Sequence, residues 1–167
     1  MNKQGSDATA RYRLADPEQF MIWASRHYLW SAIRSAPAPD FVFEAFENAG
    51  IDVLYYSLDR VLVCLLAAQT SEIVVHDVRC PCLALHEQAL LTGCRRLQCG
   101  DDAGFAATMA AVMLPSAVKV AEPAMKLLAG GMLRMKPEYS GMPLGYGDGA
   151  EDATGRPHGS CQGRTIN

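Results

Sequence analysis

The chain has 167 residues, of which 50% are hydrophobic and 20% are charged, and its formal net charge is −3. This balance is typical of a soluble globular domain and excludes a disordered or fibrous protein. The absence of a basic cluster in the sequence argues against nucleic-acid binding and against attachment to anionic lipid.

The sequence predicts neither a secretory signal nor a membrane span. The N-terminal residues lack an apolar segment. The longest mildly hydrophobic stretch, residues 105–118, is interrupted by Pro115 and is shorter than the roughly 20 apolar residues that a span needs. We therefore expect a cytoplasmic protein with no membrane partner, whose six cysteines are reduced thiols.

The first predicted helix contains both tryptophans of the chain. It begins at Asp16, a capping residue followed by Pro17, which suits a first helical position, and it ends near Ser35 before two prolines. One face at helical spacing contains Phe20, Trp23, Ala24, His27, Trp30 and Ser31. Its aromatic members Trp23, His27 and Trp30 predict either a buried core face or a protein interface, where Trp is enriched.

Further helices are predicted along the rest of the folded part. Their expected ranges are 41–48, 52–68, 83–97, 103–114 and 116–132. The helix over 52–68 is apolar on all sides, so we expect it to be the central buried helix. Residues 73–75 predict an extended connector or an isolated strand.

The C-terminal part of the sequence changes character at Lys136. Residues 136–167 contain seven of the fourteen glycines but only Leu144 and Ile166 among Leu, Ile, Val and Phe. Such a segment buries too little apolar surface to offset the entropy of ordering it. We therefore predict an all-α fold, a single-domain bundle or orthogonal array of five to six helices over residues 16–135, with a flexible arm over 1–15 and a disordered tail over 136–167.

Four potential metal ligands lie close together before and inside the predicted helix over 83–97. His76, Cys80, Cys82 and His86 have the spacing H-x3-C-x-C-x3-H. Imidazole and thiolate are ligands that zinc prefers, and four of them complete a tetrahedral site. Because Pro81 is expected near the helix start, Cys82 and His86 are predicted to share one side of the helix, and zinc is the candidate cofactor.

The same segment has other interpretations. The cysteines can act as small apolar side chains while the histidines face solvent. Alternatively, Cys80 and Cys82 can form a redox-active thiol pair, or a cysteine thiolate can bind haem iron. Glu87 is expected either to cap the helix or, as a buried acid, to orient His86 or Arg79.

Two functional classes follow from the sequence. The first is a non-enzymatic interaction or accessory module that binds a protein partner or a second copy of itself, since the sequence contains no catalytic motif. The methionines of the last helices, which suit adaptable contacts or simply fill the core, are Met109, Met113, Met125, Met132 and Met135. The second class is a zinc or thiol-redox protein centred on the segment from His76 to His86.

Overall fold

The computed structural model describes residues 16–135 and 163–166. These ranges contain six helices and two short strands: α1 (Asp16–Ile33), α2 (Asp40–Asn48), α3 (Asp52–Ala67), β1 (Ile73–Val75), α4 (Leu85–Gln98), α5 (Asp102–Met109), α6 (Pro115–Met132) and β2 (Arg164–Ile166). The predicted all-α class is therefore confirmed. The predicted arm over 1–15 and most of the predicted tail lie outside the described residues. No described helix has the length and apolar character needed to cross a membrane.

Local chemistry explains where the last two helices begin and end. The Asp101 side chain accepts a hydrogen bond of 2.8 Å from the Gly104 amide and so caps α5. Pro115, which lacks an N–H group, takes the first position of α6, one residue before the predicted start of this helix at residue 116. The prediction extended α5 to residue 114, but the chain leaves the helix after Met109.

The predicted central helix shares its role with α6. α3 packs against α1, α2 and α6, while α6 packs against α3, α4 and α5 and so joins the two groups of helices. α3 is not buried on all sides, because Val63 is 48% exposed. α3 and α6 approach closely where Gly131 faces Leu54, and a Cβ atom at position 131 would overlap the leucine side chain.

The methionines fill the core, which was one of the two predicted roles. Met109, Met113, Met125 and Met132 are buried, and Met135 packs against the core from a half-buried position. These helices therefore present no methionine-rich binding surface.

The strand β1 has a partner that the sequence did not reveal. β1 pairs antiparallel with β2 in the register Ile73 with Ile166, Val74 with Thr165 and Val75 with Arg164. Residues 164–166 lie in the segment predicted to be disordered, so that prediction is wrong for them. Ile166 contributes apolar surface that packs against the core, which explains why these residues are ordered.

Candidate functional site

A buried ion pair lies at the centre of the region that contains the predicted ligands. The Arg26 Nε atom lies 2.7 Å from Oε1 of Glu87, and Nη2 lies 2.9 Å from Oε2, so the pair is bidentate. Both side chains are fully buried. Arg26 was missed by the sequence analysis, although its position between Ile22 and Leu29 on a buried face of α1 is a signal. A charge among buried apolar positions requires a partner.

Arg26 also binds the backbone of the segment that connects β1 to α4. Its Nη1 atom donates to the carbonyls of Asp77 (3.0 Å) and Cys80 (2.7 Å), and Nη2 donates to that of Cys82 (2.6 Å). Together with the bonds to Glu87, these contacts give every N–H group of the Arg26 guanidinium an acceptor. The Cys-Pro-Cys segment is therefore held by its backbone around a cation.

Glu87 has the capping role that was one of its two predictions. It occupies the third position of α4, and its Oε2 accepts a hydrogen bond of 2.9 Å from the Ala84 amide. Its other partner is Arg26, and the predicted orienting bond to His86 or Arg79 is not among the hydrogen bonds of the described residues. One carboxylate thus fixes the start of α4 and neutralises Arg26.

The start of α4 differs from the prediction. The helix begins at Leu85 rather than near residue 83, so Pro81 and Cys82 precede it. Cys82 and His86 therefore do not share a helical side. The reason is local, since the Glu87 carboxylate accepts from the Ala84 amide and sets the cap at that residue.

The two predicted imidazole ligands lie near the ion pair, where burial favours their neutral forms. His86 is almost fully buried, and this burial lowers its pKa to about 4, while the nearby Glu87 carboxylate raises it and Arg26 lowers it. Burial also lowers the pKa of His76. Within the described residues, neither Nδ1 of His76 nor Nε2 of His86 has a hydrogen-bond partner.

The two predicted cysteine ligands differ in chemical state. Cys80 is disulfide-bonded, whereas Cys82 is half-buried and is not part of a disulfide. The expectation of reduced thiols therefore fails for Cys80, and Cys80 and Cys82 are not bonded to each other. Burial raises the pKa of the Cys94 thiol to about 12, which keeps it protonated and unreactive.

The predicted zinc site finds no support in the described parts of the chain. In residues 16–135 and 163–166, no three His, Cys, Asp or Glu side chains are grouped so that they could hold a metal ion. The carbonyl oxygens of Cys80 and Cys82 accept hydrogen bonds from the Arg26 guanidinium, and His76 and His86 lie near the ion pair of Arg26 with Glu87.

The three residues of the predicted aromatic interface lie in two different environments. Trp30 makes contacts within the fold. Its Nε1 donates to the His76 carbonyl (3.0 Å), and the guanidinium of Arg164 lies 5.3 Å from its ring centroid. Trp23 and His27 are half-buried and contact Phe41, with ring centroids 6.0 and 4.9 Å apart. Burial lowers the pKa of His27, and the nearby Asp77 carboxylate partly offsets this effect.

A second group of aromatic rings lies on the other side of α2. Phe43 contacts Tyr55 and Tyr56, with ring centroids 5.2 and 6.0 Å apart. On this side Tyr56 is 62% exposed, and on the α1 side Phe41 is 46% exposed. Sequence analysis missed these residues, because it assigned no role to the helix over 41–48 and expected the helix over 52–68 to be buried.

The outer face of α2, between these aromatic groups, is acidic. Asp40, Glu44 and Glu47 are exposed. At 100° per residue they point away from the buried Val42 and Phe46, with Phe41 and Phe43 on the two flanks. Over residues 40–60 the sequence contains five acidic residues and one basic residue. We call Asp40, Phe41, Phe43, Glu44 and Glu47 the α2 surface.

Comparison with known proteins gives no relative for this chain. No family model matches it, and no curated protein or solved structure shows significant similarity.

Proposed function

We propose that the protein is a non-enzymatic binding module whose contact site is the α2 surface, and that its partner is a basic, amphipathic protein segment. The observation that carries this proposal is the exposure of large aromatic rings on both sides of an acidic ridge. Phe41 remains 46% exposed although it packs against two other rings. Exposed aromatic groups of this kind are enriched where proteins bind one another.

The charge of the α2 surface supports the choice of partner. Three exposed carboxylates on one short helix attract Lys and Arg side chains and increase the rate of encounter. Arg and Lys also bind favourably over aromatic faces, which Phe41 and Tyr56 present next to the carboxylates. A segment that places apolar side chains on the flanks and basic side chains on the ridge satisfies both features.

The same charge argues against a second copy as the partner. A two-fold symmetric contact would place the acidic ridge of one copy against that of the other. Like charges across an interface are unfavourable. Nucleic acid is disfavoured for the same reason, since its phosphates are negative.

A synthetic peptide tests the proposal. The probe is an amphipathic helix of about 18 residues made of Leu and Lys, long enough to fold on contact. The matched control peptide carries Glu in place of Lys. We expect only the Lys peptide to bind, with an affinity that falls as salt is raised, as measured by calorimetry and by amide chemical shifts of α2.

Paired protein variants locate the site. Phe41→Ser is expected to weaken binding of the Lys peptide at least tenfold, which corresponds to about 1.4 kcal/mol. Leu114→Ser removes a side chain of similar exposure (49%) in the turn before α6 and is expected to leave binding unchanged. Equal binding of both peptides, absence of binding, or equal effects of the two variants would each refute the proposal.

A further inference from the structure

Three aromatic rings contact one another where α2 meets the first turns of α3. The ring centroids of Phe43 and Tyr55 are 5.2 Å apart, those of Phe43 and Tyr56 are 6.0 Å apart, and those of Tyr55 and Tyr56 are 5.6 Å apart. The angles between the ring planes are 83°, 62° and 82° in the same order. The three planes are therefore steeply inclined to one another, like the sides that meet at the corner of a box. We call these residues the three-ring cluster.

The turn between the two helices holds the three-ring cluster in place. Gly50 has a positive φ of 67°, which favours glycine, and the Ile51 amide donates to the Phe46 carbonyl (3.0 Å) at this turn. Tyr55 packs at a steep angle against the fully buried Phe46 ring, with centroids 5.8 Å apart. The rings thus belong to two helices that are anchored in the core, and they are positioned before any ligand binds.

The three-ring cluster is open to solvent. Tyr56 is 62% exposed, and Phe43 and Tyr55 are half-buried. In the described part of the chain, the contacts of arginine guanidinium groups with aromatic rings are both at Trp30. The faces of the three-ring cluster therefore carry no cation from the described residues, and an external cation can reach them.

Negative charge lies next to these rings. Burial raises the pKa of the Tyr55 hydroxyl, and the carboxylates of Asp59 and Asp40 raise it further, so their negative potential reaches this ring. Asp59 is held in place because it accepts a hydrogen bond of 2.6 Å from the Tyr28 hydroxyl. Among the described residues, neither Asp40 nor Asp59 forms an ion pair with a lysine or arginine. Aromatic faces and carboxylates that lack a cationic partner both attract a cation.

The chemistry of the three-ring cluster favours an alkylated ammonium group over a primary one. A primary ammonium is compact and strongly hydrated, and its three N–H groups require acceptors. A trimethylammonium group has no N–H group to satisfy, and its methyl groups pack against rings while its charge is attracted to the ring faces. Aromatic clusters are the sites at which proteins recognise quaternary ammonium ligands.

We propose that the three-ring cluster binds a trimethylammonium group, and that the carrier of this group is a trimethylated lysine side chain of the basic partner segment. The choice of carrier rests on the proposed function, because Phe43 belongs both to the three-ring cluster and to the α2 surface. The binding of the trimethylammonium group does not rest on it, since the rings and carboxylates that attract the cation all belong to this chain.

Choline, which contains a trimethylammonium group, tests the three-ring cluster alone. The control is the neutral alcohol in which a carbon atom replaces the choline nitrogen and the shape is kept. In NMR titrations of the full chain, we expect choline to shift the ring signals of Phe43, Tyr55 and Tyr56 saturably, with nuclear Overhauser effects from its methyl protons. The alcohol is expected to bind at least about fivefold more weakly, because it lacks the charge. Unchanged ring signals, or equal affinity for both compounds, would overturn the proposal.

Variants at position 56 locate the site. Tyr56→Leu replaces an exposed ring by an apolar side chain without a π face, and we expect it to weaken choline binding at least about fivefold. Tyr56→Phe keeps the ring and is expected to retain binding. Val63→Ser removes an exposed apolar side chain (48%) further along α3 and is also expected to retain binding. Full binding by Tyr56→Leu, or an equal loss in all three variants, would show that choline is not bound at these rings.

A pair of peptides tests the carrier. The amphipathic peptide of Leu and Lys is compared with a version in which every lysine is trimethylated, which keeps the charge. We expect the trimethylated peptide to bind at least about threefold more tightly, and Tyr56→Leu to abolish this difference. Equal affinities of the two peptides for the original protein would refute the lysine carrier and leave the proposed function standing. If choline binds and neither peptide does, the proposed function fails, and the trimethylammonium site stands with a free small molecule as its ligand.

Discussion

At the scale of single residues, Arg26 is the side chain on which the arrangement of three segments depends. Removing a cation from water is costly, and a buried ion pair stabilises a fold only when the remaining donors and acceptors are also satisfied. Arg26 meets this condition through both oxygens of Glu87 and three backbone carbonyls. It thereby links α1, the start of α4 and the Cys-Pro-Cys segment.

Replacing Arg26 by lysine tests this role. An ammonium group has three donors and cannot match the planar fork, so at least two carbonyl or carboxylate oxygens lose a partner. We expect Arg26→Lys to lower the free energy of unfolding by about 3 kcal/mol in urea denaturation. The control is Arg95→Lys, in a pair with Glu18 in which the arginine side chain is exposed, and it is expected to change the free energy of unfolding by less than about 0.5 kcal/mol. Similar effects of the two substitutions would contradict the role assigned to Arg26.

His86 predicts a pH dependence of stability. Its folded-state pKa is about 4, below the usual 6.5, so above pH 6.5 it is neutral in both states and has no effect. As the pH falls from 6.5 toward 4, the unfolded chain binds a proton that the folded protein excludes, and stability is lost. At pH 5 this loss is on the order of 2 kcal/mol, from about 1.4 kcal/mol per pH unit.

The variant His86→Leu isolates this contribution. Leucine fills a similar volume and leaves no buried nitrogen without a partner, so we expect stability at pH 7.5 to be equal or higher. Between pH 7 and pH 5, thermal unfolding is expected to show a smaller loss of stability for His86→Leu than for the original protein. Parallel pH curves would show that His86 is not the group responsible.

At the scale of elements, the packing of α3 against α6 depends on a glycine at one position of α6. Gly131 faces Leu54 at the helix contact, whereas a Cβ atom at the neighbouring Gly130 would meet no atom within 4 Å. Two adjacent glycines in one helix therefore occupy opposite environments, and alanine should have opposite effects at the two positions.

Alanine substitutions test this contrast. Gly131→Ala forces the buried Leu54 side chain to move, and we expect a loss of about 1–3 kcal/mol in unfolding free energy. Gly130→Ala adds a methyl group in open space and restricts the unfolded chain, so we expect a gain of about 0.5–1 kcal/mol. Both are measured by urea denaturation. A loss at Gly130 equal to that at Gly131 would mean that helix propensity or end effects, rather than the contact with Leu54, decide the outcome.

At the scale of the whole molecule, the sequence predicted what depends on local patterns and missed what depends on distant partners. Helical periodicity and prolines located α1 well, since spacing and breakers act within a few residues. The strand β2 was missed because its partner β1 lies about 90 residues earlier in the chain. The ion pair of Arg26 with Glu87 was not predicted. The spacing from His76 to His86 is visible in the sequence, whereas Arg26 enters that region from another helix.

The acidic α2 surface leads to a prediction about the oligomeric state of the whole chain. At low ionic strength, repulsion between the carboxylates should keep copies apart, and we expect a monomer of 18.1 kDa in sedimentation velocity. As salt is raised, repulsion is screened while the exposed rings still favour apolar contact, so weak self-association should increase with salt. Phe41→Ser should remove this increase, and Leu114→Ser should retain it. A stable dimer at low salt would contradict the prediction, because it would require a contact surface other than the acidic one described for α2.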